Sequence, residues 1–334
     1  MSGAAAGDLP ADVVDALVRI GLVAAGERVT GEALTGGVSS EIYRVDTAGG
    51  AFCVKRALAR LKVSALWEAP VERNRYERAY LELAAALVPG AVPAVLGADD
   101  DAGLFAMAYL DPVEHPVWKA QLRDGHADAS VAAAVGDRLG RIHAATADRA
   151  DLAVAFPTAP LFDALRLAPY LAATAAAHPD RAERLLALRD RTAATRRVLV
   201  HGDVSPKNIL VGPDGPVLLD AECATIGDPA FDVAFCANHL LLKCVWNPTA
   251  HAGFLRCLSA FVAAYLRHVS WEPPPAVEAR TASLLPALLL ARVDGTSPVE
   301  YLDETQRTRV RGRARAMLAQ PPFERIEQVV DNWT

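Results

Sequence analysis

At 334 residues the chain is long enough for two packed lobes with separate cores, and its 52% hydrophobic and 22% charged residues read as globular rather than disordered. A net charge of −6 gives no electrostatic case for nucleic acid or an anionic membrane as a partner. The five cysteines (Cys53, Cys223, Cys236, Cys244, Cys257) are odd in number and scattered, without a CxxC pair or an HExxH stretch, which argues against structural zinc and disulfides and for reduced, buried thiols.

The first residues lack the basic region and long apolar run of a signal peptide. The apolar stretch 284–291 is too short to span a bilayer and contains Pro286. A cytoplasmic protein is expected. Residues 1–27 are Ala-rich, with Val13, Leu17 and Ile20 at helical spacing, and predict an N-terminal helix. Strand-like runs at 29–34, 41–46 and 51–57, divided by Gly36-Gly37 and Ala48-Gly49-Gly50, predict a β-meander. Residues 70–88 return to helical spacing, and two further strands are expected at 92–96 and 104–110, the second closed by Asp111-Pro112. Beyond 112 the pattern is mainly helical: 130–146, at least one helix within 161–195, and 252–269. A β-like island interrupts it at 198–201, 209–211 and 217–219, around the turn Gly212-Pro213-Asp214-Gly215. The expectation is an α+β chain, with a small lobe at 1–110 carrying an antiparallel sheet and a larger, mainly helical lobe at 111–334.

The strongest chemical signal is His201-Gly202-Asp203-Val204-Ser205-Pro206-Lys207-Asn208, with Asp220 twelve residues after Asn208. Phosphoryl transfer to a hydroxyl needs a carboxylate to orient and deprotonate the acceptor, and oxygen ligands for the magnesium that neutralises the polyphosphate. An Asp followed five residues later by Asn, in a loop flanked by strands, puts a base and a metal ligand on one rim. Asp220, at the end of the following hairpin, supplies the second ligand. Glu222, two residues on, is a candidate for the same metal or its water shell, against the plainer reading of a solvent-facing Glu.

H-G-D-x-x-x-x-N followed by a strand ending in Asp resembles the signature of aminoglycoside phosphotransferases, choline kinases and methylthioribose kinases, which share the two-lobed protein-kinase-like fold and phosphorylate small molecules. The resemblance covers most of the chain. Residues 35–45 resemble the hairpin that covers the phosphates, which makes Gly37, Ser39 and Ser40 nucleotide-binding candidates. Phe52-Cys53-Val54-Lys55 resembles the strand bearing the phosphate-binding lysine, and Glu77 lies where the family's helix supplies its partner. Met107, Ala108, Tyr109 and Leu110 resemble the segment that meets the adenine edge through its backbone. Asp220-Ala221-Glu222 is similar to the Asp-x-Glu of methylthioribose kinases and departs from the Asp-Phe-Gly of protein kinases. Asp232 matches the family's brace of the catalytic loop, whereas His143 reads as a helix-packing histidine. The resemblance implies ATP, with GTP left open, and Mg2+ as cofactors.

For the acceptor, residues 236–300 hold five basic against four acidic side chains, together with Trp246 and Trp271. A polycationic aminoglycoside needs clustered carboxylates, because unpaired ammonium groups are costly to desolvate. The segment therefore favours a hydroxylated, non-polycationic small molecule: an antibiotic, a nucleoside-like compound or a sugar. An aminoglycoside remains the alternative. Trp246, Arg292 and Asp294 are the substrate candidates, with a helix cap and local ion pair as the competing explanation for the last two. Two other classes compete. A protein kinase would need a long activation segment, and Gly227-Asp228-Pro229 follows Asp220 too soon for one. A non-catalytic scaffold would usually have lost one of Lys55, Asp203, Asn208 and Asp220.

Overall fold

The computed structural model describes residues 7–34, 40–58 and 72–333. The chain divides into two compact units, Met1–Pro112 and Val113–Thr334.

The first unit is built on a six-stranded antiparallel sheet in the order β1-β2-β3-β4-β6-β5. Its strands are β1 (Gly7–Asp8), β2 (Thr30–Ala33), β3 (Ser40–Thr47), β4 (Gly50–Ala57), β5 (Val95–Asp99) and β6 (Leu104–Ala108). The helix α1 (Ala11–Arg19) lays Val13, Ala16 and Leu17 on a core shared with Val45, Phe52, Val54, Leu104 and Ala106. A second helix, α2 (Arg73–Leu87), serves the opposite face, where alternate residues of β4 point. With both faces covered, Phe52, Cys53, Val54 and Lys55 are all buried. The Asn74 side-chain amide fastens α2 to the sheet by donating to the carbonyls of Gly103 (2.8 Å) and Lys55 (3.3 Å). The fifth strand starts at Val95 rather than at residue 92, because Pro93 has no N–H to give a ladder. The sixth ends at Ala108, two residues earlier than its apolar run.

The second unit is mainly helical. The loop 201–208 is framed by two small antiparallel pairs: β7 (Val198–Val200) with β10 (Thr225–Gly227), and β8 (Ile209–Gly212) with β9 (Gly215–Leu218). The helix Pro229–Trp246 runs through the core, and every residue from Pro229 to Val245 is buried. Asp228 caps its N-terminus by accepting from the Ala230 amide (3.0 Å) and pairs with Arg280 (3.0 Å). Among the described residues one stretch, Pro248–Leu266, is long and apolar enough by composition to cross a membrane. Its apolar side chains Phe254, Leu258, Phe261 and Tyr265 are buried in the fold.

That stretch meets the helix Ala129–Thr146 at very short range. A Cβ on Gly136 would sit 2.2 Å from the Phe261 carbonyl oxygen. Helix propensity alone favours alanine there by ~1 kcal/mol. Gly136→Ala should nonetheless destabilise, by about 2–3 kcal/mol, because the colliding atom is backbone and cannot rotate away. Thermal unfolding followed by circular dichroism checks this; an unchanged or raised melting temperature would contradict the close packing.

All five cysteines are free and buried. Burial holds the thiols of Cys53 and Cys257 up at about 11 and that of Cys244 at about 12, so none of these is a ready nucleophile.

Candidate active site

The centre of the second unit's site is the turn that leaves β7. Gly202 has φ +80°, and a Cβ there would meet Cys223 at 2.9 Å, so only glycine lets the loop lie this close to residues 221–224. Asp232, in the first turn of the Pro229–Trp246 helix, holds the loop by its backbone. Its carboxylate accepts from the amides of His201 (2.6 Å) and Gly202 (2.8 Å). His143 in turn lies 3.3 Å from Asp232 through Nε2 and 2.9 Å from the Tyr265 hydroxyl through Nδ1. Both side chains are fully buried, which gives His143 its packing role. His201 is buried too, and burial lowers its pKa against the opposing pull of Asp232, Asp203 and Asp220. Its Nδ1 accepts the Asp203 amide (3.2 Å), as a neutral imidazole can.

The Asp203 carboxylate is buried, and two cations face it: Arg166 at 3.0 Å and Lys207 at 3.3 Å. Asn208 ends the short helical turn Pro206–Asn208 and donates its side-chain N–H to the Asp203 carbonyl (3.2 Å), so its Oδ1 is the atom it could offer a metal. The Leu219 amide bonds the Asn208 carbonyl (2.8 Å), so the end of the β8–β9 hairpin is tied to the same loop. One residue later Asp220 has φ +68°, a left-handed backbone that aspartate tolerates better than most residues but still at some cost. Glu222 is buried rather than solvent-facing. The candidate metal ligands Asn208, Asp220 and Glu222 offer only oxygen, the donor type a hard divalent cation such as Mg2+ takes.

Arg166 was not singled out from sequence. It lies in a π-helical segment, Asp163–Ala172, that contains Pro169, and its Nε donates to the Gly202 carbonyl (2.5 Å). Such wide turns concentrate at functional sites, but nothing in a mostly apolar run announces one. Because Arg166 holds both the loop backbone and the Asp203 carboxylate, it is a positioning residue. Arg166→Ala should lower kcat by about 10–100-fold with the KM for nucleotide little changed, and Arg166→Lys should recover part of the loss. A purely structural role would instead show as loss of soluble, folded protein, with unaltered kcat in what remains.

In the first unit, the Lys55 ammonium meets the Glu77 carboxylate at 2.7 Å and 2.8 Å, both side chains being buried. Glu77 is therefore the α2 residue that meets the lysine. Met107 and Ala108 close β6, and the Ala108 amide bonds the Ala94 carbonyl (2.8 Å). Tyr109 is stacked beneath the Arg44 guanidinium, 4.6 Å from its ring centre, and Leu110 is half-buried. Ser40 opens β3 and is buried, whereas Gly37 and Ser39 lie outside the described residues.

The three substrate candidates separate. Trp246 stacks on Tyr301, with ring centres 4.4 Å apart. Arg292 is buried and donates to the Tyr170 hydroxyl (3.0 Å) and to the Ser297 carbonyl. It shares a cavity beside the 201–208 loop with Lys119, Lys207, Lys243, Glu300 and Tyr301. Asp294 does not join them: Arg311 grips both its oxygens (2.7 and 2.8 Å) and His178 bonds it at 2.8 Å. Its carboxylate fastens the helix Glu304–Leu318 to the end of Pro274–Asp294, the local ion pair weighed above.

Comparison with known proteins gives the class. Over 95% of this chain and 96% of the other, the structure resembles a choline/ethanolamine kinase family protein from Mesorhizobium loti (TM-score 0.53, 18% identity). An amicoumacin kinase solved with AMP-PNP and Ca2+ has a TM-score of 0.54 at 14% identity, covering 90% and 91% of the two chains. An aminoglycoside phosphotransferase from Alicyclobacillus acidocaldarius has a TM-score of 0.52 at 14% identity, covering 98% of each. In sequence, the rice (Oryza sativa subsp. japonica) enzyme methylthioribose kinase 2 is 25% identical over 228 residues, 60% of this chain. The match spans about half of the rice enzyme, 53% of its length. The fold is thus protein-kinase-like, an antiparallel sheet unit followed by a mainly helical remainder. The model of the phosphotransferase enzyme family matches residues 30–252, and the chain belongs to that family.

Proposed function

We propose that this chain transfers the γ-phosphoryl group of Mg-ATP to a hydroxyl of a non-polycationic small molecule. The observation that carries the reading is the Asp203 carboxylate on a loop whose backbone is held by Asp232, with Asn208 bonded to that same loop. Asp203 orients the acceptor hydroxyl and takes its proton as the oxygen bonds to phosphorus; the bond from phosphorus to the β,γ-bridging oxygen breaks and ADP leaves with that electron pair. Asn208, Asp220 and Glu222 would hold the metal, which when bound offsets the charge of the phosphates. Lys55, fixed by Glu77, binds phosphate oxygens, with Ser40, Gly37 and Ser39 as the further candidates for that contact. Met107, Ala108, Tyr109 and Leu110 meet the base. Since the Ala108 amide is bonded to Ala94, Tyr109 and Leu110 offer the backbone groups for that contact.

Residues 1–110 are the nucleotide-binding lobe in this reading, and 111–334 carry the catalytic loop and acceptor site. The charge beside the catalytic loop supports a non-polycationic acceptor over an aminoglycoside. Its cavity is lined by Lys119, Lys207, Lys243 and Arg292 against the single carboxylate of Glu300. The test is a mass-spectrometric screen with Mg-ATP and pools of sugars, nucleosides, hydroxy acids, macrolides and aminoglycosides. An acceptor 80 Da heavier, formed by the intact protein and not by Asp203→Asn, is the expected result. Preferential phosphorylation of aminoglycosides would overturn the substrate class.

A further inference from the structure

The proposal rests on Lys243. It lies in the helix Pro229–Trp246 and is 1% exposed. Among the described residues its Nζ has no hydrogen-bond partner. The ammonium stands 3.6 Å from the ring centre of Tyr301 and 4.1 Å from that of Trp246, so two aromatic faces stabilise it, helped by the charge of the Glu300 carboxylate. Its neighbours do not neutralise it. Glu300 is paired with Lys119, Arg292 carries a fixed positive charge, and His239 is held neutral by burial and by the cations around it. A lysine kept buried, unpaired and among other cations is costly unless something negative joins it. The free space that Lys243, Arg292, Lys119 and Tyr301 line is ≈ 30 Å³, room for one small group and not for a whole metabolite. Pro206 and Lys207 of the catalytic loop, with His239 and Glu300, form its remaining wall, and the Lys207 ammonium lies 3.3 Å from the Asp203 carboxylate.

We infer that this cavity seats an oxyanion carried by the acceptor, a carboxylate or a phosphate ester, with Lys243 as its principal partner and Arg292 and Lys119 beside it. The inference deepens the kinase reading and depends on it for the word acceptor: the substrate is a hydroxy acid or a phosphorylated alcohol, held by its anion with its hydroxyl toward Asp203. Trp246 contributes through its stack on Tyr301 and Lys243.

Thermal unfolding of the full chain tests this at constant ionic strength set with sodium chloride. The probes are inorganic sulfate, gluconate against glucitol, and glucose 6-phosphate against glucose. Sulfate and at least one anionic member of the two pairs should raise the melting temperature saturably, by about 2 °C or more near saturation, while the neutral partners do not. Whichever pair responds distinguishes a carboxylate from a phosphate ester. Lys243→Met should lose the shift, and Lys243→Arg should retain part of it. No shift with any anion, or the same shift in Lys243→Met, overturns the inference. Failure of the kinase reading looks different: no acceptor is phosphorylated by the intact protein, while the Lys243-dependent shift persists. Conversely, neutral acceptors phosphorylated with the same KM by wild type and Lys243→Met would sink the anion site and leave the kinase intact.

Discussion

Asp203→Asn should reduce phosphoryl transfer by about a thousandfold or more while the affinity for Mg-ATP stays within about twofold. The change keeps the side chain's shape, and the amide oxygen can still accept from Arg166 and Lys207, which lie 3.0 and 3.3 Å from the carboxylate. The loop should hold its course, because it is fixed by Asp232 through the amides of His201 and Gly202 and not by Asp203 itself. What disappears is the proton acceptor. The residues assigned to the nucleotide, Lys55 with Glu77 in the sheet unit and Asn208 with Asp220 after the loop, are untouched. Single-turnover transfer and equilibrium nucleotide binding, measured side by side, check both halves; full activity in the variant would remove Asp203 from the mechanism.

Lys243→Met should make the protein more stable at neutral pH. Burial, with the Lys119 charge adding to it, brings the Lys243 pKa down from 10.5 to about 7. A drop of that size corresponds to roughly 5 kcal/mol of penalty on the charged form. Because the folded-state pKa lies below the unfolded one, the penalty is fully present below pH 7 and is relieved as pH rises from 7 toward 10.5. Methionine is about as long, flexible and uncharged, so it should recover about 2–4 kcal/mol at pH 7, the remainder being reduced by the lost aromatic contacts and by local relaxation. Denaturant unfolding at pH 7 and pH 9.5 provides the measurement. The variant should be ahead at the lower pH, with the gap closing at the higher one; a less stable variant at pH 7 would mean that Lys243 has a partner worth more than its desolvation. A residue that lowers the stability of its own fold is what a binding site retains for function.

The α+β class and the family were legible because their signals are local. The strand-like runs at 41–46 and 51–57, the glycine interruptions and the spacing from Asp203 to Asn208 to Asp220 are all properties of neighbouring residues. Boundaries were less legible where one residue vetoes a ladder, as Pro93 does for β5. The helix Pro229–Trp246 could not be delimited by periodicity, since a helix buried on every side has no polar face to set a period. Arg292 and Asp294, two residues apart in one polar turn, read alike in sequence. Their partners sit far along the chain, Tyr170 for one and Arg311 with His178 for the other, so only folding could part them.

By itself, then, the sequence determined the kinase-like architecture and the chemical types gathered near residue 203, because hydrogen-bonding pattern, glycine placement and motif spacing act over a few residues. Tertiary structure decided that Lys55 and Glu77, 22 positions apart, form a buried pair, that Arg166 faces Asp203 across 37 positions of chain, and that Lys243 is buried among cations beside the loop that carries Lys207. Those outcomes depend on long-range packing, which sets the distance between charges and the water left around them, and neither quantity is written in the order of the residues.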